Sequence, residues 1–122
     1  MAAKILFVDD EIEMGFMVSN LLKMHGYEVV TAESVEMALE LSDGMPLSAI
    51  ILDINLAGED GFQLMTYLKR NHPEVPIIIY SGMEHDEAVI QKALSQGASQ
   101  YIRKGGPLDD LVTAVRNTLP GA

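Results

Sequence analysis

Five short apolar runs, each separated from the next by a longer stretch of helical period, constrain this chain more than any other feature. Residues 5–8, 28–31, 49–52, 77–80 and 101–103 read as strands. Several are apolar throughout rather than alternating, as expected for strands covered on both faces. Residues 11–25, 35–42, 61–71, 86–96 and 108–118 read as helices. The punctuation agrees. Gly26 and Gly97 stand where a helix closes with a left-handed cap, and Ser34 suits an N-cap. Pro73 and Pro76 break the chain before the fourth strand, and Pro107 suits the opening of the last helix.

Strands alternating with helices imply a parallel sheet, because only a crossover can return the chain to start the next strand in the same direction. Right-handed crossovers that cover both faces lead to an α/β, doubly wound, five-stranded (βα)5 domain of three layers, αβα. A flavodoxin-like strand order of 2-1-3-4-5 is expected. At 122 residues one domain accounts for the chain, with residues 119–122 as a tail or the beginning of a linker.

Open parallel sheets gather ligands beyond the carboxyl ends of their strands, where strand order reverses. Here the first strand ends in Asp9-Asp10, the third in Asp53, the fourth in Ser81 and the fifth in Lys104. Strands one and three are neighbours at the reversal, so three carboxylates converge. Strands three and five lie roughly 10 Å apart at ~4.8 Å per strand, a gap that the long stem of a lysine largely covers. Ionised carboxylates at ~4 Å repel by about 4 kcal/mol at an effective dielectric near 20, so the cluster needs a cation. Oxygen-only ligands suit Mg²⁺, with Mn²⁺ or Ca²⁺ as substitutes. Metal, lysine and hydroxyl together supply the positioning and charge stabilisation of phosphoryl transfer, and a carboxylate can accept the group as an acyl phosphate.

Charge and composition exclude other classes. Eight Lys and Arg against 18 Asp and Glu leave a formal charge of −10, with no basic run to neutralise nucleic-acid phosphates or anionic lipid. The apolar run near the N-terminus, residues 5–8, is too short for a signal core or a membrane span, so a cytoplasmic location is expected. No cysteine is present, which removes thiol catalysis and disulfides.

Four segments together resemble the receiver domains of two-component response regulators: Val8-Asp9-Asp10-Glu11, Leu52-Asp53 followed by Gly61, Tyr80-Ser81-Gly82, and Tyr101-Ile102-Arg103-Lys104. The resemblance runs over essentially the whole chain. It implies that Asp53 is the phosphoacceptor, and that Asp10, Asp53 and the main-chain carbonyl of Asn55 hold the metal, with Asp9 assisting through water. It implies that Lys104 and Ser81 bind the phosphoryl group, and that Tyr101 turns inward on phosphorylation to alter the face made by helix four, strand five and helix five. The implied donor is a sensor histidine kinase or histidine phosphotransfer protein. The implied listener is a protein target or a linked output domain, with phosphorylation-dependent pairing of two copies through the switched face. No turnover of a separate substrate is expected.

Three positions depart from the family pattern. Gly105-Gly106 follow Lys104 where proline is usual, which predicts a looser loop and a less firmly aimed lysine; a cis bond without proline costs ~2.5–4 kcal/mol. Ala57 replaces a common proline, and Ser81 a commoner threonine. On helix one, Met14, Met17, Val18, Leu21 and Leu22 form the expected sheet-facing stripe, while Ile12 and Phe16 face away and are candidates for donor docking. His25, His72 and His85 are too scattered to share a metal.

Rival functions need other residues. An aspartate-nucleophile phosphatase typically has a second acid two positions beyond the first, where Asn55 stands. A flavin-binding flavodoxin needs a hydroxyl- and glycine-rich loop where Asp9-Asp10-Glu11 would repel phosphate. A constitutive, unphosphorylated interaction module on the same fold usually lacks a member of the acidic set or the lysine, and all are present. Met83 occupies a position that flanks the phosphoryl group in relatives, and its apolar side chain cannot orient an attacking water. Slow self-dephosphorylation is therefore expected, and Met83→Glu should speed decay of the phosphorylated form; an unchanged decay rate would refute it.

Overall fold

Every strand of the sheet carries two hydrophobic faces, and the helices sort themselves between them. The structure, a computed structural model, describes residues 2–56, 58–82 and 87–119. Strands β1 (Lys4–Val8), β2 (Glu28–Ala32), β3 (Ala49–Leu52), β4 (Ile77–Ser81) and β5 (Gln100–Arg103) form one parallel sheet in the order 2-1-3-4-5. Helices α1 (Ile12–Met24), α2 (Val35–Gly44), α3 (Gly61–Asn71), α4 (Glu87–Ser95) and α5 (Leu108–Thr118) fill the crossovers. The expected three-layer α/β architecture is the observed one.

Alternation along each strand builds the two cores. Ile5, Phe7, Ala49, Ile51, Ile78 and Tyr80 point to the side of α1 and α5, where they meet Val18, Leu22, Leu111 and Val115. Leu6, Val8, Ile50, Leu52, Ile77 and Ile79 point the other way, onto α2, α3 and α4 through Ala38, Leu64, Leu68 and Ala93. All four residues of β3 are fully buried, which explains why this central strand shows no polar alternation. The chemistry at its end therefore rides on the most enclosed element of the fold.

Helix boundaries follow the expected caps. Ser34 Oγ accepts from the Met37 amide, and Gly26 and Gly97 follow α1 and α4 with φ of 93° and 114°. Pro107 is the N-cap of α5, one position ahead of its first turn. The sheet-facing stripe of α1 needs correction. It runs through Gly15, Val18, Ser19 and Leu22, whereas Met14 and Leu21 are only partly buried and Met17 is 51% exposed. A Cβ on Gly15 would lie in ordinary contact with the Thr31 methyl, at 3.7 Å. Met14 and Leu21 pack against the edge of this core, so of the expected stripe Met17 alone faces away.

Between β3 and α3 the chain makes a two-stranded antiparallel ribbon, Asn55–Leu56 with Glu59–Asp60, which periodicity alone did not reveal. The ribbon is pinned at its base. Asp60 Oδ1 accepts from the Phe62 amide, and the Gly61 amide donates to the Ile54 carbonyl. A side chain at Gly61 would place its Cβ 2.5 Å from that carbonyl oxygen, so glycine is required there by backbone contact. The residues just after Asp53 are thereby locked to the start of α3. Among the described residues, no helix is long and apolar enough to cross a membrane.

Candidate functional site

The carboxyl ends of β1, β3, β4 and β5 meet as the strand order requires. Main-chain hydrogen bonds register each participant. The Asp9 amide donates to the Ala32 carbonyl, the Asp53 amide to Val8, and the Lys104 amide to Ser81 at 2.6 Å. Asp9, Asp53 and Ser81 are buried, an arrangement tolerated only if their polar groups find partners.

Asp53 is held from three directions. Its Oδ1 accepts from the Ser81 hydroxyl at 2.7 Å and from the Asn55 amide at 3.0 Å, and its Oδ2 accepts from Lys104 Nζ at 2.7 Å. Ser81 closes β4 instead of following it, so its hydroxyl is fixed by the strand. Asp9 Oδ1 accepts from the Glu11 amide at 2.9 Å. Its buried Oδ2 lies 2.7 Å from Lys104 Nζ but off the line of a hydrogen bond, so that contact is one of charge alone.

Lys104 is the hub. Its ammonium touches Asp9, Asp53 and, at 2.8 Å, Glu11 Oε2, and only 14% of its side chain is exposed. Burial works against the charged ammonium, but its contacts with Asp53, Asp9 and Glu11 outweigh it and hold the lysine above its ordinary range. The carboxyl of Asp9 is raised in turn, chiefly because burial penalises its charge; Lys104 and the Glu11 amide only partly compensate, and repulsion by Asp53 adds the smallest share. The expectation of a loosely aimed lysine is not what the structure shows. Lys104 is tied at its amide and at its ammonium, and Gly105 turns the chain at φ 94°, in the region glycine favours.

One carboxylate oxygen from each of Asp9, Asp10 and Asp53 lies within 4.8 Å of the others. At that separation each ionised pair repels by about 3 kcal/mol at an effective dielectric near 20, and one lysine leaves the three carboxylates with a net negative charge. An all-oxygen set with an unsatisfied buried Asp9 Oδ2 fits a hard divalent cation. Asn55 and Gly82 border the same cleft.

The chain as a whole is similar to known proteins. Residues 5–116 match the response regulator receiver domain. The chain belongs to that family, the receiver domains of two-component systems. It is 38% identical to the nitrogen assimilation regulatory protein NtrX of Azorhizobium caulinodans over 98% of this chain, spanning 26% of that relative's length. It is 31% identical to the transcriptional regulatory protein KdpE of Staphylococcus aureus over 95% of this chain and 49% of that one. The crystal structure of the receiver domain of NtrX from Brucella abortus superposes with a TM-score of 0.89 at 31% identity, covering 97% of this chain and 99% of that one. The chain thus spans about a quarter of NtrX but the whole of an isolated receiver.

Other expected residues lie apart from the cluster. Tyr101 sits on β5 opposite Ile79, half-buried against the core on the α2–α4 side. Ile12 and Phe16 are exposed on α1, at 55% and 68%, and border a groove that also contains Asp9 and Glu11. His25 faces Arg116, whereas His72 faces Asp43. Ala57, Met83, His85 and the end of the tail, 120–122, fall outside the described residues. The residue that sequence reasoning missed is Glu11, quoted as part of a motif but given no role. Its signal was its place beside Asp10 at the N-cap of α1, above the same strand end.

Lys104→Met removes the counter-charge from three carboxylates. Stripping one partner from a largely buried ion pair is expected to lower metal-free stability by about 2–4 kcal/mol. Urea unfolding should show that loss, with a substantial part recovered in Mg²⁺. Because the folded state holds the Lys104 proton more tightly than the unfolded chain, its contribution is complete below the ordinary value of 10.5 and is lost as pH rises beyond it. The gap between wild type and variant should therefore persist through about pH 10 and close only above it.

Proposed function

We propose that Asp53 accepts a phosphoryl group from a phosphohistidine and that the domain signals through the resulting change in its surface. The observation that carries this reading is the environment of Asp53: a buried carboxylate joined to Ser81, the Asn55 amide and Lys104, with Asp9 and Asp10 beside it. In the transfer, an oxygen of Asp53 forms a bond to phosphorus as the phosphorus–nitrogen bond breaks. The departing imidazole keeps that electron pair as its ring lone pair.

The protein's part is positioning and charge. The Asn55 amide and the Ser81 hydroxyl orient the carboxylate, and Lys104 offers its ammonium to the arriving phosphoryl oxygens. Asp9, Asp10, Asp53 and the Asn55 carbonyl would hold Mg²⁺, or Mn²⁺ in its place, which supplies positive charge against those oxygens. No chemistry beyond the domain's own phosphorylation and dephosphorylation is part of the proposal.

Signalling follows from the Ser81 hydroxyl. It is bonded to Asp53 in the structure described here, and in the proposed active state it moves onto a phosphoryl oxygen. Tyr101, one strand over, then turns inward and remodels the α4–β5–α5 face. This is a two-state element biased by new local charge. The partners of this reading are a sensor histidine kinase or histidine phosphotransfer protein on one side and a protein target or linked output domain on the other, in the cytoplasm. Two phosphorylated copies pair through the same face. The whole chain, 1–122, acts as a single receiver, and its low positive charge assigns nucleic-acid contact to other parts of the pathway. Ile12 and Phe16 beside the cleft form the docking patch for the donor.

Intact-mass analysis after incubation with acetyl phosphate and Mg²⁺ should show one added phosphoryl group, absent without metal and absent in Asp53→Asn. With a phosphorylated histidine phosphotransfer donor, Phe16→Ala should slow transfer about tenfold while leaving acetyl phosphate labelling intact. A folded, metal-binding protein that gains no mass from either donor would overturn the reading.

A further inference from the structure

Lys104 is crowded before any phosphoryl group arrives. Three carboxylate oxygens surround its ammonium at 2.7–2.8 Å, from Asp9, Asp53 and Glu11, so one positive charge already answers three negative ones. Two of the three ammonium donors are bonded, to Asp53 and Glu11, and Asp9 Oδ2 crowds the same nitrogen at 2.7 Å. A doubly charged oxygen group that comes to Lys104 therefore meets a set of like charges and is best received where one of them gives way. The three carboxylates differ in what displacement costs. The side chains of Asp9 and Asp53 are 1% and 6% exposed, and a carboxylate parted from its cation there stays out of water. Glu11 is 59% exposed and returns to solvent when released.

We propose that Glu11 is the exchangeable ligand of Lys104, occupying the place on the ammonium that a phosphoryl oxygen takes when the site is loaded. The inference rests on the phosphoacceptor reading of Asp53 and deepens it by naming what the incoming group must displace. Glu11 is a positioning residue: it aims the lysine over the cleft and opposes the anion that replaces it. Its amide, which donates to Asp9 Oδ1, is untouched by any substitution of the side chain. The side chain is 59% exposed, so substitutions there are expected to keep the fold.

Two opposite shifts distinguish this role from a merely structural one. Loss of the Glu11 charge weakens attraction for the divalent cation, yet it frees Lys104 for the anion. The test titrates beryllofluoride, a non-covalent stand-in for the phosphoryl group, into wild type, Glu11→Gln and Glu11→Asp at saturating Mg²⁺, followed by amide NMR. Mg²⁺ alone is titrated separately. Glu11→Gln should bind beryllofluoride about three- to fivefold more tightly, the range of an exposed ion pair, while binding Mg²⁺ no more tightly than wild type. Glu11→Asp, which keeps the charge but is one methylene too short to reach the ammonium, should also bind the anion more tightly. Beryllofluoride affinity in Glu11→Gln that is unchanged or reduced would overturn the proposal. So would Glu11→Asp behaving as wild type, which would assign the effect to general charge and not to the contact. Wild-type protein that binds Mg²⁺ but no beryllofluoride would overturn the phosphoacceptor reading itself, and this inference with it.

Discussion

The mutual repulsion of Asp9, Asp10 and Asp53 is the constraint on which this structure turns. Carboxylates brought this close beyond one pair of adjacent strands would push the sheet apart without positive charge between them. Lys104 supplies such charge, reaching from the end of β5 across β4 to the end of β3. The lysine thus serves twice. It neutralises the resting cluster, and in the proposed reaction it exchanges one of those contacts for a phosphoryl oxygen. A site held together by its own unbalanced charge is primed for a divalent cation and for the anion that follows it.

The rest of the fold gives that cluster a rigid floor. Five parallel strands with both faces covered place four chain ends in one row, each registered by a main-chain bond to its neighbour. The fully buried β3 cannot slip without turning its side chains to the wrong core, so Asp53 is as fixed as the sheet. Gly61 fixes the far side by letting the Ile54 carbonyl pack where a side chain would otherwise stand. The mobile parts of the proposed switch are therefore few: a serine hydroxyl at the end of β4, an aromatic ring on β5 and the exposed carboxylate of Glu11.

Much of this was legible in the sequence because strand ends and strand order together determine neighbours. Once 49–52 and 5–8 read as adjacent parallel strands, Asp53 and Asp9-Asp10 had to meet, and Ser81 and Lys104 had to approach from one side. What escaped was governed by contacts that periodicity does not encode. Met17 looked like core by apolarity, yet it is exposed while Gly15 and Ser19 lie on the buried face. The ribbon after Asp53 depends on a single glycine–carbonyl contact across six residues. Gly105 suggested a slack lysine because it lacks the ring of proline, but the aim of Lys104 comes from the carboxylates around its ammonium. Glu11 was passed over although it stands beside Asp10 above the same strand end, because its role shows only in the contact its side chain makes with Lys104.

The most direct test of this account is an NMR titration of the uniformly ¹⁵N-labelled protein with Mg²⁺. The account predicts one saturable site, with the largest amide shifts at residues 9–11, 53–55, 81–82 and 104, all diminished in Asp10→Asn. Saturable binding centred elsewhere, or a cluster whose amides do not respond, would contradict it.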